Sequence, residues 1–192
     1  MRKPESISTL EARIHALGED WAITHAQRLL KLIEQIGVDR NYDARAVLWA
    51  AYLHDWGAFR QYYRPGCDHA ALSRQIAENE ILPRVNLPQE TKAIILEAIE
   101  RHDYRDRRPV ETTEALLLRE ADFLDFLGVI GIAREFARGS EDLSKSYARI
   151  VARKDLIKNR LILPKARTMA IQRLTRMEIF LEALMEESFG IL

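Results

Sequence analysis

Six side chains able to bind a metal ion are spread through the first two-thirds of the chain: His25, the adjacent pair His54-Asp55, His69, His102 and Asp122. The sequence contains five histidines, and four of them belong to this set. Each of the four lies in or beside an apolar, helix-like stretch rather than in a polar segment. That placement suggests side chains carried by separate helices to one metal centre. Mixed imidazole and carboxylate donors with open positions suit Mn²⁺, Fe²⁺, Co²⁺, Ni²⁺ or Mg²⁺, and do not match a closed structural zinc site.

Adjacent residues on a helix point about 100° apart. His54 and Asp55 can therefore converge on one ion only beyond a helix end or in a groove. The pair ends the apolar run Ala46-Val47-Leu48-Trp49-Ala50-Ala51-Tyr52-Leu53, and Gly57 lets the chain turn away. Taken alone, the pair also reads as a capping histidine with an N-cap aspartate. Near His25, Leu29, Leu30 and Ile33 put the helix in the core, so that His25 can face inward. Asp122 is flanked by Leu116-Leu117-Leu118 and Phe123-Leu124. A carboxylate in such surroundings needs a partner, either a metal or an arginine.

The elements positioning these residues read as helices throughout, because apolar residues recur at helical spacing and alternating β-branched runs are few. The pattern predicts helices at about 5–17, 20–36, 43–56, 68–81, 88–102, 112–138, 142–159 and 164–188. Gly37 and Gly57 serve as C-terminal stops, Asp68 as a cap, Pro88 as a first-turn residue, and Thr112 or Thr113 as a further cap. The long connections at about 57–67 and 103–111 are rich in Arg and Tyr, and each borders a ligand candidate. With no repeat, low-complexity segment or linker, the 192 residues read as one all-α domain.

The composition, 47% hydrophobic and 30% charged, is that of a globular protein. No apolar run approaches the roughly 18–20 residues a membrane span needs. Met1-Arg2-Lys3-Pro4-Glu5 carries no apolar leader, and one cysteine, Cys67, excludes an internal disulfide framework; a cytoplasmic location follows as the expectation. The zero net charge conceals twelve Lys/Arg against four Asp/Glu between Arg134 and Arg176, a local excess of +8. Such a stretch is either a solvated helix face or a phosphate-attracting surface.

The order His25, His54-Asp55, Asp122 resembles the signature of the HD-domain superfamily of metal-dependent phosphohydrolases. Ala50-Ala51-Tyr52-Leu53-His54-Asp55-Trp56-Gly57 is similar to its small-apolar-His-Asp-apolar-Gly segment. Glu120-Ala121-Asp122-Phe123-Leu124-Asp125-Phe126-Leu127-Gly128 is similar to its final-aspartate segment. The resemblance covers about residues 20–138. It implies an all-helical HD domain with a C-terminal helical extension over about 139–192, like those of small bacterial members. It further implies a first ion held by His25, His54, Asp55 and Asp122. A second ion would be held by His69 and His102 with Asp55 bridging, unless these two histidines bind substrate phosphate or cap helices in a one-metal site. One departure is plain: where many members carry a lysine or glutamate shortly after the His-Asp pair, this chain has Gly57, Ala58 and Phe59.

The expected activity is hydrolysis of a phosphate ester of a small molecule, a nucleotide above others. A bound ion would lower the pKa of water towards about 7 and polarise a phosphoryl oxygen. Asp55 is the catalytic metal-bridging residue, and Asp103 is a general acid or a residue that orients a ligand. Arg60, Arg64, Arg101 and Arg105 are the phosphate-binding candidates, and Trp56, Phe59, Tyr62 and Tyr63 either stack on a base or pack the domain. The alternative is a catalytically weak metal- or nucleotide-binding regulatory protein. Nucleic acid ranks last among partners, a membrane is excluded, and a homo-oligomer is allowed. Met169, Met177, Phe180 and Leu184 form a helical stripe read as core or a dimer face.

Overall fold

A computed structural model describes residues 6–139 and 142–192. The first five residues, on which the reading of a leaderless start rests, lie outside the described residues. Among these residues the chain forms nine α-helices and no strand, as the periodicity predicts. They are α1 (Ile7–Ala16), α2 (Asp20–Ile36), α3 (Ala44–Leu53), α4 (His69–Ile76), α5 (Gln89–Arg101), α6 (Thr113–Phe126), α7 (Gly128–Arg138), α8 (Leu143–Ile157) and α9 (Pro164–Glu187). No helix among the described residues is long and apolar enough to cross a membrane.

The chain divides into two compact units, Met1–Arg119 and Glu120–Leu192. In the first unit α3 packs against α2 and α5, and α4 packs against α5 and the 3-10 turn Trp56–Ala58. Its core holds Leu10, Ile14, Leu29, Ile33, Leu53, Trp56, Phe59, Ile95, Ile99 and Leu117, all fully buried. Burying each large apolar side chain stabilises the fold by roughly 1.5–3 kcal/mol, more than any one cap contributes. Caps instead decide where each helix begins. Asp43 accepts from the Arg45 N–H at 2.8 Å to start α3, and Asp68 accepts from the Ala70 N–H at 2.9 Å to start α4. Thr112 Oγ1 accepts from the Ala115 N–H at 3.2 Å ahead of α6.

Three expected boundaries shift, each for a local reason. The expected helix over 43–56 ends at Leu53, and Gly57 is not its stop. An added Cβ on Gly57 would lie 2.3 Å from the His69 carbonyl oxygen and 2.9 Å from the Ser73 nitrogen. Gly57 is therefore the point where the 3-10 turn and α4 touch backbone to backbone, a contact sealed by its N–H donating to Ser73 Oγ at 2.8 Å. The segment over 68–81 is α4 followed by a π-turn at Ala77–Ile81 and a 3-10 turn at Leu82–Arg84. The segment over 112–138 is two helices, broken because Gly128 adopts φ +77°, a left-handed conformation that favours glycine.

In the second unit, buried Glu120 accepts from the Ile162 N–H at 2.6 Å and the Leu163 N–H at 3.1 Å, placing a carboxylate at the start of α9. Glu135 of α7 binds Arg149 and, at 2.8 Å, Arg153, both on α8. Arg134 donates to Asp125 at 2.6 Å, and Arg173 donates to the Leu124 carbonyl at 2.6 Å. Part of the basic excess over 134–176 is thus used within the unit itself.

Candidate metal centre

Five of the six ligand candidates belong to the first unit, and the structure brings them together. α2 presents Ala22, Ala26, Leu29, Leu32, Ile33 and Ile36 to the interior at helical spacing, which fixes its rotation and buries His25. α3 ends at Leu53 because the backbone leaves the helix. His54 is still helical (φ −63°, ψ −29°), whereas Asp55 sits at φ −103°, ψ 8°. That break lets two adjacent side chains converge, as a continuing helix would not. His69 is the first residue of α4 and His102 follows the last residue of α5.

The Asp55 carboxylate stands between two pairs of imidazoles. Its Oδ2 lies 3.3 Å from His54 Nε2 and 3.7 Å from His25 Nε2. Its Oδ1 lies 3.4 Å from His69 Nε2 and 3.7 Å from His102 Nε2. Within each pair the Nε2 atoms are 3.2 Å apart. One donor atom each of His54, Asp55 and His102 also lie within 4.8 Å of one another. Two donors each about 2.1 Å from a shared ion stand about 3.0–3.4 Å apart in octahedral or tetrahedral geometry. The separations within each pair fit that range.

The protonation pattern also fits a cation. His54 Nδ1 donates to the Ala51 carbonyl at 2.9 Å, and His102 Nδ1 donates to the Ile99 carbonyl at 2.6 Å. A carbonyl only accepts, so the proton is on Nδ1 and each Nε2 directs a lone pair towards the Asp55 carboxylate. Burial pushes the His54 imidazole below its ordinary range, although neighbouring Asp55 opposes this, so His54 is neutral at pH 7. Burial would raise the Asp55 carboxyl, but the imidazoles of His54, His102 and His69 gathered around it hold it well below the usual range. Lone pairs converging on an ionised carboxylate form a site for a positive ion.

Asp103, expected as a loop residue, is buried beside this cluster. It accepts from Arg105 Nη2 at 2.5 Å, Nε at 2.9 Å and the backbone N–H at 2.6 Å. Its Oδ2 faces His69 Nδ1 at 3.3 Å. Burial would raise its pKa, but the Arg105 hydrogen bonds, then His102 and His69, hold it below the usual carboxylate range. An ionised Asp103 has no proton to give, which suits orientation of His69 better than acid catalysis.

Of the four arginines expected to bind phosphate, Arg105 reaches the cluster, its Nη2 lying 3.2 Å from His69 Nδ1. Arg101 turns to Asp106 at 3.8 Å, while Arg60 and Arg64 have exposed side chains. The Arg60 backbone N–H donates to Glu19 Oε1 at 2.8 Å, and the Trp21 indole N–H donates to Glu19 Oε2 at 2.5 Å. Sequence reasoning passed over buried Glu19, since a glutamate before a helix reads as an ordinary cap. Trp56 and Phe59 are core residues and face no ligand; Tyr62 is half-buried and Tyr63 is 60% exposed. Asp122 lies on α6 in the second unit and is buried.

The HD domain family matches residues 22–127, more than half of the chain and inclusive of every ligand candidate. The protein belongs to the HD-domain family. Comparison with curated proteins gives no match. Among solved structures the fold is similar to that of Bacillus subtilis YpgQ in complex with ADP, with TM-score 0.72, 23% identity, and 97% of this chain and 100% of that one covered. It is also similar to an HD-superfamily hydrolase from Bacillus thuringiensis, with TM-score 0.66, 22% identity, and 94% and 93% covered. A predicted HD-superfamily hydrolase from an uncultured Thermotogales bacterium gives TM-score 0.65, 22% identity, and 97% and 94% covered. Likeness at these identities concerns the fold.

Proposed function

We propose that this HD-domain protein is a metal-dependent phosphohydrolase cleaving a phosphate ester of a small molecule, a nucleotide being the first choice. The observation carrying this reading is the Asp55 carboxylate, with one oxygen facing His25 and His54 and the other facing His69 and His102. His25, His54 and Asp55 hold a first divalent ion, with Asp122 as the further ligand supplied by the sequence motif. His69, His102 and Asp55 hold a second. The ions supply Lewis acidity and water of lowered pKa at neutral pH. Around them, buried His25, His54 and His102 exclude solvent, while Asp55 (16% exposed) and His69 (21%) mark the open side. Arg105 stands on that side with its side chain 62% exposed, where it can meet a substrate phosphate. The fold's likeness to a protein solved with ADP supports a nucleotide. The HD core is read as about 20–138, with the remaining helices appended. The test is release of inorganic phosphate or pyrophosphate by Mn²⁺-loaded protein from nucleotides and simple phosphate esters. Turnover that chelation abolishes supports the assignment, whereas fully loaded protein inert on the whole panel contradicts it.

Asp103 orients His69: for His69 to ligate through Nε2, its Nδ1 must carry the proton, and Asp103 Oδ2, 3.3 Å away, would accept it once Arg105 Nη2, which stands 3.2 Å from the same nitrogen, gives way. Asp103→Asn is expected to weaken the second ion by about 10–100-fold while sparing the first, as read by calorimetric Mn²⁺ titration. Equal affinities in the two proteins would rule the role out.

Metal retention should fall with pH in a defined direction. His54 is depressed below its unfolded value of 6.5, so between its folded value and pH 6.5 the unfolded chain binds the additional proton. The stability of metal-free protein is therefore complete above about pH 6.5 and declines as pH falls below it. Asp55 stays ionised throughout that window. Thermal unfolding in chelator across this range should show the decline, and separately loaded, chelator-free protein should lose metal over the same range; a flat profile would refute it.

A further inference from the structure

The outer face of α9 carries two isoleucines that nothing among the described residues covers. Ile171 is 65% exposed and Ile179 is 62% exposed. Thr168, Ile171, Thr175, Ile179, Glu182 and Glu186 follow the three- and four-residue steps that keep side chains on one helix face. The two threonine hydroxyls donate to their own helix, Thr168 to the Pro164 carbonyl at 3.2 Å and Thr175 to the Ile171 carbonyl at 3.1 Å. Both thus satisfy their polar atom internally. The stripe expected from sequence lies elsewhere: Met177 is buried and Phe180 lies tilted against Phe136, with ring centroids 6.2 Å apart.

The charges of this helix are completely segregated. Lys165, Arg167, Arg173 and Arg176 occupy its first half, and Glu178, Glu182, Glu186 and Glu187 occupy its second. That order opposes the helix dipole, which favours anions at the N-terminus and cations at the C-terminus. An antiparallel copy of the same helix reverses the conflict, setting each acidic half along a basic half. A two-fold axis at Thr175 would also set Ile171 against the partner's Ile179, and the converse, as an isologous contact requires.

We propose that α9 is a self-association surface, pairing antiparallel with α9 of a second copy of this chain along Thr168, Ile171, Thr175 and Ile179. One helix pair buries less than a standard interface of about 1,600 Å², so the dimer is weak and concentration-dependent.

The test is sedimentation velocity of the full chain over the micromolar to millimolar range. Wild type should pass from monomer to dimer, and Ile171→Glu should raise the dissociation constant about tenfold or more. Adding Ile179→Lys should recover dimerisation, because antiparallel pairing sets each new acid against a new base. A Thr175→Cys variant in a Cys67→Ser background should oxidise to a covalent dimer. Lys165→Cys should not, its two sulfurs being about 30 Å apart across the axis. A wild type monomeric throughout, a dimer indifferent to Ile171→Glu, or loss deepened by Ile179→Lys would each overturn the proposal.

Discussion

Asp55→Asn should lose both ions and all measurable turnover while keeping its helical circular dichroism. The amide matches the carboxylate in shape, so α3 and the 3-10 turn have no steric reason to move. What changes is charge: Oδ2 facing His25 and His54, and Oδ1 facing His69 and His102, provide the anionic donor at the centre of all four imidazoles. Orienting partners of metal ligands typically contribute 10–100-fold in affinity, so removing the shared ligand should cost more than about 100-fold at each position. Neutral His54 and His102 cannot replace the lost charge, because each commits its Nδ1 proton to a backbone carbonyl. Elemental analysis after dialysis, beside a phosphate-release assay, reads both losses. An Asp55→Asn protein retaining stoichiometric metal would contradict the central place given to this residue.

Gly57→Ala should be the most damaging single methyl addition in the first unit. The new Cβ would meet the His69 carbonyl oxygen at 2.3 Å, the Ser73 nitrogen at 2.9 Å and the Leu72 Cβ at 3.0 Å. Two of these are backbone atoms of α4, so relief requires the helix itself to shift. Overpacking of this kind costs roughly 1–3 kcal/mol, and contact with backbone places the change at the upper end. For a chain of this size that is a fall of about 5–10 °C in unfolding midpoint. The same shift carries His69 away from Asp55 and His102, so binding of the second ion should weaken more than the first. Differential scanning calorimetry and Mn²⁺ titration on one preparation separate the two effects. Unchanged stability and unchanged second-ion affinity would show that α4 has room the structure does not indicate. Gly57 also answers the departure from the family pattern: a position where a longer side chain is expected is occupied by a backbone contact.

How far the chain could be read in advance depended on the range of the interaction. The all-helical fold and the cap at Asp68 were legible, because periodicity and N-terminal caps are encoded within a few residues. The five histidine and aspartate side chains of the first unit were legible as a set, since buried imidazoles and carboxylates in apolar helices need a shared explanation. Asp103 was ambiguous, because its burial and its hold on His69 depend on a meeting 34 residues apart in sequence. Trp56 and Phe59 looked available to a ligand because aromatic rings beside a site and rings filling a core have the same local signal. The break at Gly128 lay hidden inside an uninterrupted apolar pattern, as only the left-handed backbone reveals it. The basic run could not be apportioned either: Arg173 finds the Leu124 carbonyl 49 residues away, and Arg153 finds Glu135 18 residues away.

The most direct test compares metal content in wild type and His69→Ala after identical Mn²⁺ loading and dialysis. The arrangement of two histidine pairs about one carboxylate predicts two ions per wild-type chain and one in the variant, with turnover sharply reduced. Equal metal content in the two proteins, or none in wild type, would contradict a centre divided at Asp55.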